Sequence, residues 1–331
     1  MRRGGIFVKK MIARILPLAL CAAMVCALPS FAAETGSTAE APAYLAPVRV
    51  WGRVTKLENG GLLVQNDNEN DPYRETVLYL SDTTPVVDAV TGLPLDRELR
   101  EGETIYAWVG PAVTLSLPPQ AAAEVVVANI PEDFGAPQYY QIVKVRPQVA
   151  AAIYPPQPVT RVDLVTTGGR ELTITEEAVL FPYLTKQMVF LSSLVPGSNI
   201  LVWTDDEGVI TKVMLFAYAY QGYVAWEPTG EVSVNDRRLP VTGKVMEGEV
   251  LLPIRAVAEA AGYDVQWVQG QGAVVTKPGA EAPVFSVLPG RDTAQTPDGD
   301  WGLSDACYFE NGTTYLPAGD LAALLDLFVV Y

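Results

Sequence analysis

Three stretches carry side chains whose types and spacing could do chemistry. Asp67, Glu69 and Asp71, interleaved with Asn66, Asn68 and Asn70, place a carboxylate on every second residue of a short loop. Hard oxygen ligands at that density could hold Ca²⁺, but the loop lacks the mid-loop glycine and distal bidentate glutamate of a helix–loop–helix calcium site. A solvated hairpin loop is the plainer reading. Phe216, Tyr218 and Tyr220 alternate with Ala217 and Ala219, and Tyr223 and Trp226 follow. On a strand the alternating rings share one face. Exposed, they would stack on sugars or grip a partner; covered, they would pack a seam, and the covered seam is the plainer reading. Arg255 and Glu259 stand four residues apart in a helical pattern, a structural pair worth ~0.2–0.5 kcal/mol.

The remaining inventory excludes more than it offers. Histidine is absent from all 331 residues, which removes the commonest general base, the commonest transition-metal ligand and every His-containing triad. Serine and threonine therefore have no imidazole to activate them, and no catalytic residue, cofactor or metal is expected beyond the calcium candidates. Acids are numerous, so a pair of facing carboxylates in a glycan hydrolase is the enzymatic alternative. Cys307 has acids, not bases, as neighbours (Asp305, Glu310), which suits an idle or buried thiol. Leu239-Pro240-Val241-Thr242-Gly243 matches a wall-sorting signal, but Lys244, Glu247, Glu249 and a folding pattern follow it, not a membrane-spanning run and a basic tail.

The N-terminus reads as a secretory signal over residues 1–32. Arg2, Arg3, Lys9, Lys10 and Arg14 precede an apolar run from Ile15 to Leu28, and Ser30-Phe31-Ala32 is a small-residue cleavage site. Membrane contact is expected only through this segment, if it is retained. Its removal takes away five basic residues and no acid, shifting the net charge from −15 to −20. Such an acidic chain disfavours nucleic acid as a partner. Cys21 and Cys26 leave with it, so Cys307 has no partner for an internal disulfide. A secreted or cell-surface bacterial protein is the expectation.

The elements that must position these residues are short strands. Residues 33–46 read as a flexible leader, 47–132 and 138–217 as two β-domains, 218–230 as a linker and 231–331 as a last domain. Val48, Val50, Gly52 and Val54 alternate with Arg49, Trp51, Arg53 and Thr55, and Asn59-Gly60, Gly168-Gly169 and Asp205 to Gly208 mark hairpin turns. Leu99, Gly102, Ile105 and Trp108 recur as Leu194, Gly197, Ile200 and Trp203, all 95 residues on, as a duplicated domain would. A small partly open barrel of the oligonucleotide/oligosaccharide-binding shape fits both.

In the last domain an Asn235-Asp236 turn leads to Leu252-Pro253, a helix with Ile254, Val257, Ala258 and Ala261 on its apolar face, a stop at Gly262, and a strand ending at Trp267. Leu252, Pro253, Val257, Ala258, Ala261 and Val265 recur 64 residues on as Leu316, Pro317, Leu321, Ala322, Leu325 and Val329. The Asn235 to Arg238 turn, the run from Leu251 to Trp267 and the repeated Leu-Pro resemble the copper amine oxidase N-terminal domain, a stalk-like module of exported proteins. The resemblance implies an antiparallel sheet curled against helix. It implies neither copper nor oxidase activity, because the catalytic domain of that family uses histidine ligands. The fold class expected is mainly β with minor α: two small barrel- or sandwich-like domains, then an antiparallel-sheet-around-helix module with two pseudo-repeats. The expected function is non-catalytic binding or scaffolding in the cell envelope, on wall glycan or a protein partner. The alternatives are the glycan hydrolase and a calcium-dependent adhesin.

Overall fold

The computed structural model describes residues 45–110, 114–132, 134–147 and 159–331; the stretch read as a secretory signal and most of that read as a leader lie outside them. Strands hold 46% of the residues and helices 7%, so the chain is mainly β. No helix of the described residues is long and apolar enough to cross a membrane.

The first sheet is built from β1 (Val48–Lys56), β2 (Leu62–Gln65), β3 (Glu75–Tyr79), β4 (Val86–Asp88), β5 (Thr104–Val109) and β6 (Gln120–Ala128). β1 pairs antiparallel with both β2 and β5, β2 with β3, and β5 with β6. The parallel pairing of β3 with the first half of β6 closes a five-stranded barrel, and β4 lies along the second half. This is the Greek-key barrel of the oligonucleotide/oligosaccharide-binding shape. β1 serves two neighbours because it bends at Gly52. There φ is +142°, and a Cβ would fall 2.1 Å from the Gln65 carbonyl oxygen, so only glycine fits. Val50, Val54, Val64, Leu78, Ile105 and Val126 fill the interior.

The second sheet repeats this plan with β7 (Gln138–Pro147), β8 (Arg161–Thr166), β9 (Glu171–Thr175), β10 (Val179–Pro182), β11 (Asn199–Thr204) and β12 (Ile210–Leu215). Its order, β10-β12-β11-β7-β8-β9, matches the first strand for strand. β9 and β12 are not hydrogen-bonded as strands, so this barrel stays open. The 95-residue repeat is therefore structural. Leu99 and Leu194 are buried, Gly102 and Gly197 have φ of +74° and +86°, and Ile105 and Ile200 are interior. Trp108 and Trp203 do not fill their own barrels. They meet in a cluster between the two, with Val87, Val127, Tyr139, Leu201 and Met214.

The last region has three sheets. β13 (Gly222–Trp226), in the stretch read as linker, pairs with β14 (Val232–Val234), which turns through Asn235 and Asp236 into β15 (Arg237–Arg238). Both turn residues have positive φ, 48° and 64°, the backbone a tight hairpin requires. β16 (Lys244–Met246) and β17 (Glu249–Pro253) lead into α1 (Ile254–Ala260) and β18 (Asp264–Val268). β19 (Gly272–Thr276), β20 (Pro283–Val287), β21 (Thr293–Thr296) and β22 (Gly299–Gly302) continue a meander from β18. β23 (Tyr308–Glu310) and β24 (Thr313–Pro317) then lead into α2 (Ala318–Leu325) and β25 (Leu327–Val330), which lies parallel to β13.

The two hairpin–helix–strand units face each other across β17 and β24. Leu252 is opposite Leu316, Leu251 opposite Pro317, and Pro253 opposite Tyr315. Equivalent residues exchange places about that leucine pair, so a local two-fold axis relates the repeats. Each proline is the last residue of its strand and caps the following helix, where its missing N–H interrupts no ladder. Val257, Ala258, Leu321, Ala322 and Leu325 bury the helices against Phe285 and Val275.

Candidate functional site

A groove of about 780 Å³ opens in the last region, within the size of small-ligand and peptide sites. One wall is α1, through Arg255, Ala256, Glu259 and Ala260. The second is the face of β18 and β19, through Val265, Trp267 and Ala273. The third is the β23–β24 hairpin, through Phe309 and Gly312 to Thr314, and the run Arg237 to Val241 closes the end. Strand alternation explains the exposures. Val265 and Trp267 share a face of β18; Val265 is buried under α1, whereas Trp267, beyond the helix, is 54% exposed. Phe309 is 51% exposed, and its ring centre lies 6.4 Å from that of Trp267 at 44°.

Charge gathers on the rim. The Arg255 guanidinium donates to Glu259 Oε1 at 3.0 Å and to the Val265 carbonyl at 2.5 Å. The expected structural pair is thus also a brace between α1 and β18. Arg238 pairs with Glu231 at 3.0 Å. Arg237 has no carboxylate within 4.0 Å among the described residues. Three arginines and one glutamate line a groove in a chain of net charge −15.

The other sequence candidates lie elsewhere. The aromatic run does not form one strand face, because β12 ends at Leu215 and residues 216–221 are irregular. They cross toward the last region, and the Gln221 N–H donates to the Asp326 carbonyl at 2.8 Å. Phe216 packs edge-on to Tyr139 at 5.8 Å between the barrels. Tyr218 donates its hydroxyl to the carbonyls of Pro196 and Gly222, at 2.7 and 3.2 Å. Tyr220 stacks edge-on to Phe328 at 5.4 Å. Tyr223 is buried with Phe328, and Trp226 is buried in the core around the two helices.

Asp67, Glu69 and Asp71 lie in the β2–β3 connection. The Asp71 carboxylate accepts from Asn66 Nδ2 at 3.0 Å and from the Tyr73 N–H at 2.9 Å, so loop shape occupies it. Among the described residues no three of His, Cys, Asp and Glu gather as metal ligands. Cys307 is buried, and burial pushes its thiol up to about 12. Leu239 is buried, and the Gly243 N–H donates to the Gly230 carbonyl at 2.8 Å, which places the sorting-like motif inside the fold.

Sequence reading missed Trp267, Phe309 and Arg237 as neighbours. Each is ordinary locally, and two hairpins separate Trp267 from Phe309 before the sheets bring them together. The only local signal was a bulky aromatic at the end of a short strand, which reads equally well as core.

No curated protein is similar to the chain in sequence. Residues 233–331, which include every residue lining the groove, match the model of the copper amine oxidase N-terminal domain, which is not the catalytic domain of that family.

Proposed function

We propose that this chain is an exported, non-catalytic binding or scaffolding protein of the cell envelope, and that its last region holds a protein partner. The observation that carries this reading is the groove: an apolar floor, two half-exposed rings on the rim and a surplus of arginine. Exposed aromatic and arginine side chains around an apolar centre are the composition of binding hot spots. Among the described residues Glu259 is the one carboxylate lining the groove, and it is tied to Arg255, whereas glycoside hydrolysis needs two acids facing a substrate; this supports binding over catalysis. The N-terminal signal supports export.

Wall glycan is the second reading, and a different surface favours it. On the outside of the first barrel Trp51 stacks on Tyr106, with ring centres 6.1 Å apart and planes 16° apart, and the Arg49 guanidinium lies 5.4 Å from the Tyr106 ring centre. A flat pair of rings beside a cation suits the C–H face of a sugar.

The test is cell fractionation, crosslinking on intact cells and retention on purified cell-wall sacculi. A crosslinked envelope protein supports the first reading. Retention on sacculi lost in Trp51→Ala supports the second. An intracellular protein with neither property sinks both.

A further inference from the structure

We infer that the groove receives an extended, acidic segment of a partner polypeptide, added as a strand along the free edge of β18. The inference rests on the binding reading above and names the ligand class.

Edges supply the first argument. β15, β18 and β23 are each the outermost strand of a different sheet, and all three line the groove. An edge strand is a template for another chain unless it is covered. The Val265 carbonyl points away from β19, because it accepts from Arg255. By the alternation of an antiparallel ladder, the backbone of Trp267, two residues on, points outward too. Outside the β18–β19 ladder, in which Trp267 stands opposite Ala273, its N–H and C=O make no hydrogen bond among the described residues. Arg255 thus covers one end of the edge and leaves the other open beside the half-exposed indole.

The floor decides between polymers. It is mainly aliphatic; its uncharged polar side chains are Thr313 and Thr314 at one wall, and among the described residues no asparagine, glutamine or serine lines it. A glycan would bring a hydroxyl on most ring carbons to a surface with few partners, and buried hydroxyls without partners are costly. An extended peptide answers both features at once: its backbone pairs with the edge, and every second side chain reaches the floor. β18 has five residues, so about five residues of partner, roughly 17 Å, would be engaged.

Charge sets the remaining chemistry. Arg237 lacks a carboxylate, and an acidic chain with a locally basic groove attracts acidic segments there while repelling them elsewhere. The partner segment therefore alternates apolar side chains, facing the floor, with carboxylates, facing the arginines.

The experiment is panning a random 12-residue display library on the full chain, followed by synthesis of the enriched peptide. Enrichment of alternating acidic and apolar sequences is expected. Trp267→Ala should weaken the synthetic peptide at least about tenfold, as loss of a hot-spot ring does. Arg237→Gln should flatten the salt dependence of binding. N-methylation should abolish binding at alternate peptide positions only, a signature of strand pairing that side-chain docking lacks. Trp267 is half exposed, so an unchanged thermal melt is expected to show that the variant is folded. Absence of enrichment, enrichment of basic peptides, equal binding to folded Trp267→Ala, or loss without alternation would overturn the inference. So would competition for the groove by a neutral chitin oligosaccharide. If an envelope protein still crosslinks to Trp267→Ala, the inference falls while the envelope-binding reading stands.

Discussion

Glu103 and Glu124 are carboxylates of one barrel held in opposite ways, and each makes a prediction of opposite sign. Glu103 receives both Arg97 guanidinium nitrogens, at 2.6 and 2.9 Å, and the N–H groups of Arg100 and Asn129. The hydrogen bonds from Arg97, and then those from the backbone, hold its carboxyl at about 2, below the ordinary 4.5. Its stabilisation is therefore complete above 4.5 and is lost as pH falls toward 2. Glu103→Gln should lower stability by about 1–3 kcal/mol at pH 7, and urea midpoints should converge with wild type only as the pH approaches about 2. Glu124 is an exposed residue overall, but its carboxyl group is partly desolvated beside Tyr139, which raises it above the ordinary 4.5 although Tyr139 donates to it. Here the folded state binds the proton more tightly, so stability is greatest below 4.5 and falls as pH rises through the folded value. Glu124→Gln should match or exceed wild type at pH 7, with the difference vanishing at pH 4. A variant that loses stability equally at both pH values would mean that packing, not ionisation, dominates the site.

Single elements show how the duplicated pattern was legible and where its meaning was not. Gly102 and Gly197 both make the left-handed turn before the tryptophan strand, and the N–H of each donates to the partner strand, at Val54 and Ile142. That turn follows from local backbone geometry, so one offset over four residues revealed it. Their surroundings differ. A Cβ on Gly102 meets nothing within 4 Å, whereas one on Gly197 would lie 2.9 Å from the Phe328 ring. Gly102→Ala should cost only the left-handed penalty, about 1–2 kcal/mol. Gly197→Ala should cost more and loosen the contact between the second barrel and β25, which chemical denaturation and protease sensitivity near Phe328 would report. The same division holds at the groove. Val265 and Trp267 follow from strand alternation, and Arg255 with Glu259 from helix spacing. Their meeting with Phe309 and Arg237 depends on how three sheets are arranged, and no periodicity encodes that. The aromatic run misled because alternation implied a strand, while the chain there leaves β12 to cross between packed bodies.

The whole molecule is organised by doubling, and the barrels join through equivalent surfaces. Tyr106 pairs with Val127 as Leu201 pairs with Met214; Val127, Leu201 and Met214 belong to the seam with Trp108 and Trp203, and Tyr106 packs against its edge. Each barrel thus presents the same strands to the other, as two copies in a symmetric dimer do. The seam is not symmetric in chemistry. Trp203 Nε1 donates to the Ala89 carbonyl at 2.6 Å, its ring tilts against Phe181 at 6.0 Å, and the Lys212 ammonium sits 5.0 Å from it while donating to the Val90 carbonyl at 3.1 Å. Trp108 has the aromatic partner Tyr139, at 6.0 Å. Trp203 therefore does more of the joining. Trp203→Ala removes a buried ring and leaves the Ala89 carbonyl without its donor, so a loss of about 3–5 kcal/mol is expected. Because the residue couples two bodies whose interiors are separate clusters, the loss should fall on cooperativity as well. Urea unfolding followed by tryptophan fluorescence and by circular dichroism should give coincident transitions in wild type and separated ones in Trp203→Ala. Coincident transitions at a lowered midpoint would mean that the barrels unfold as one body without this tryptophan. The joining would then rest on Tyr139, Leu201 and Met214.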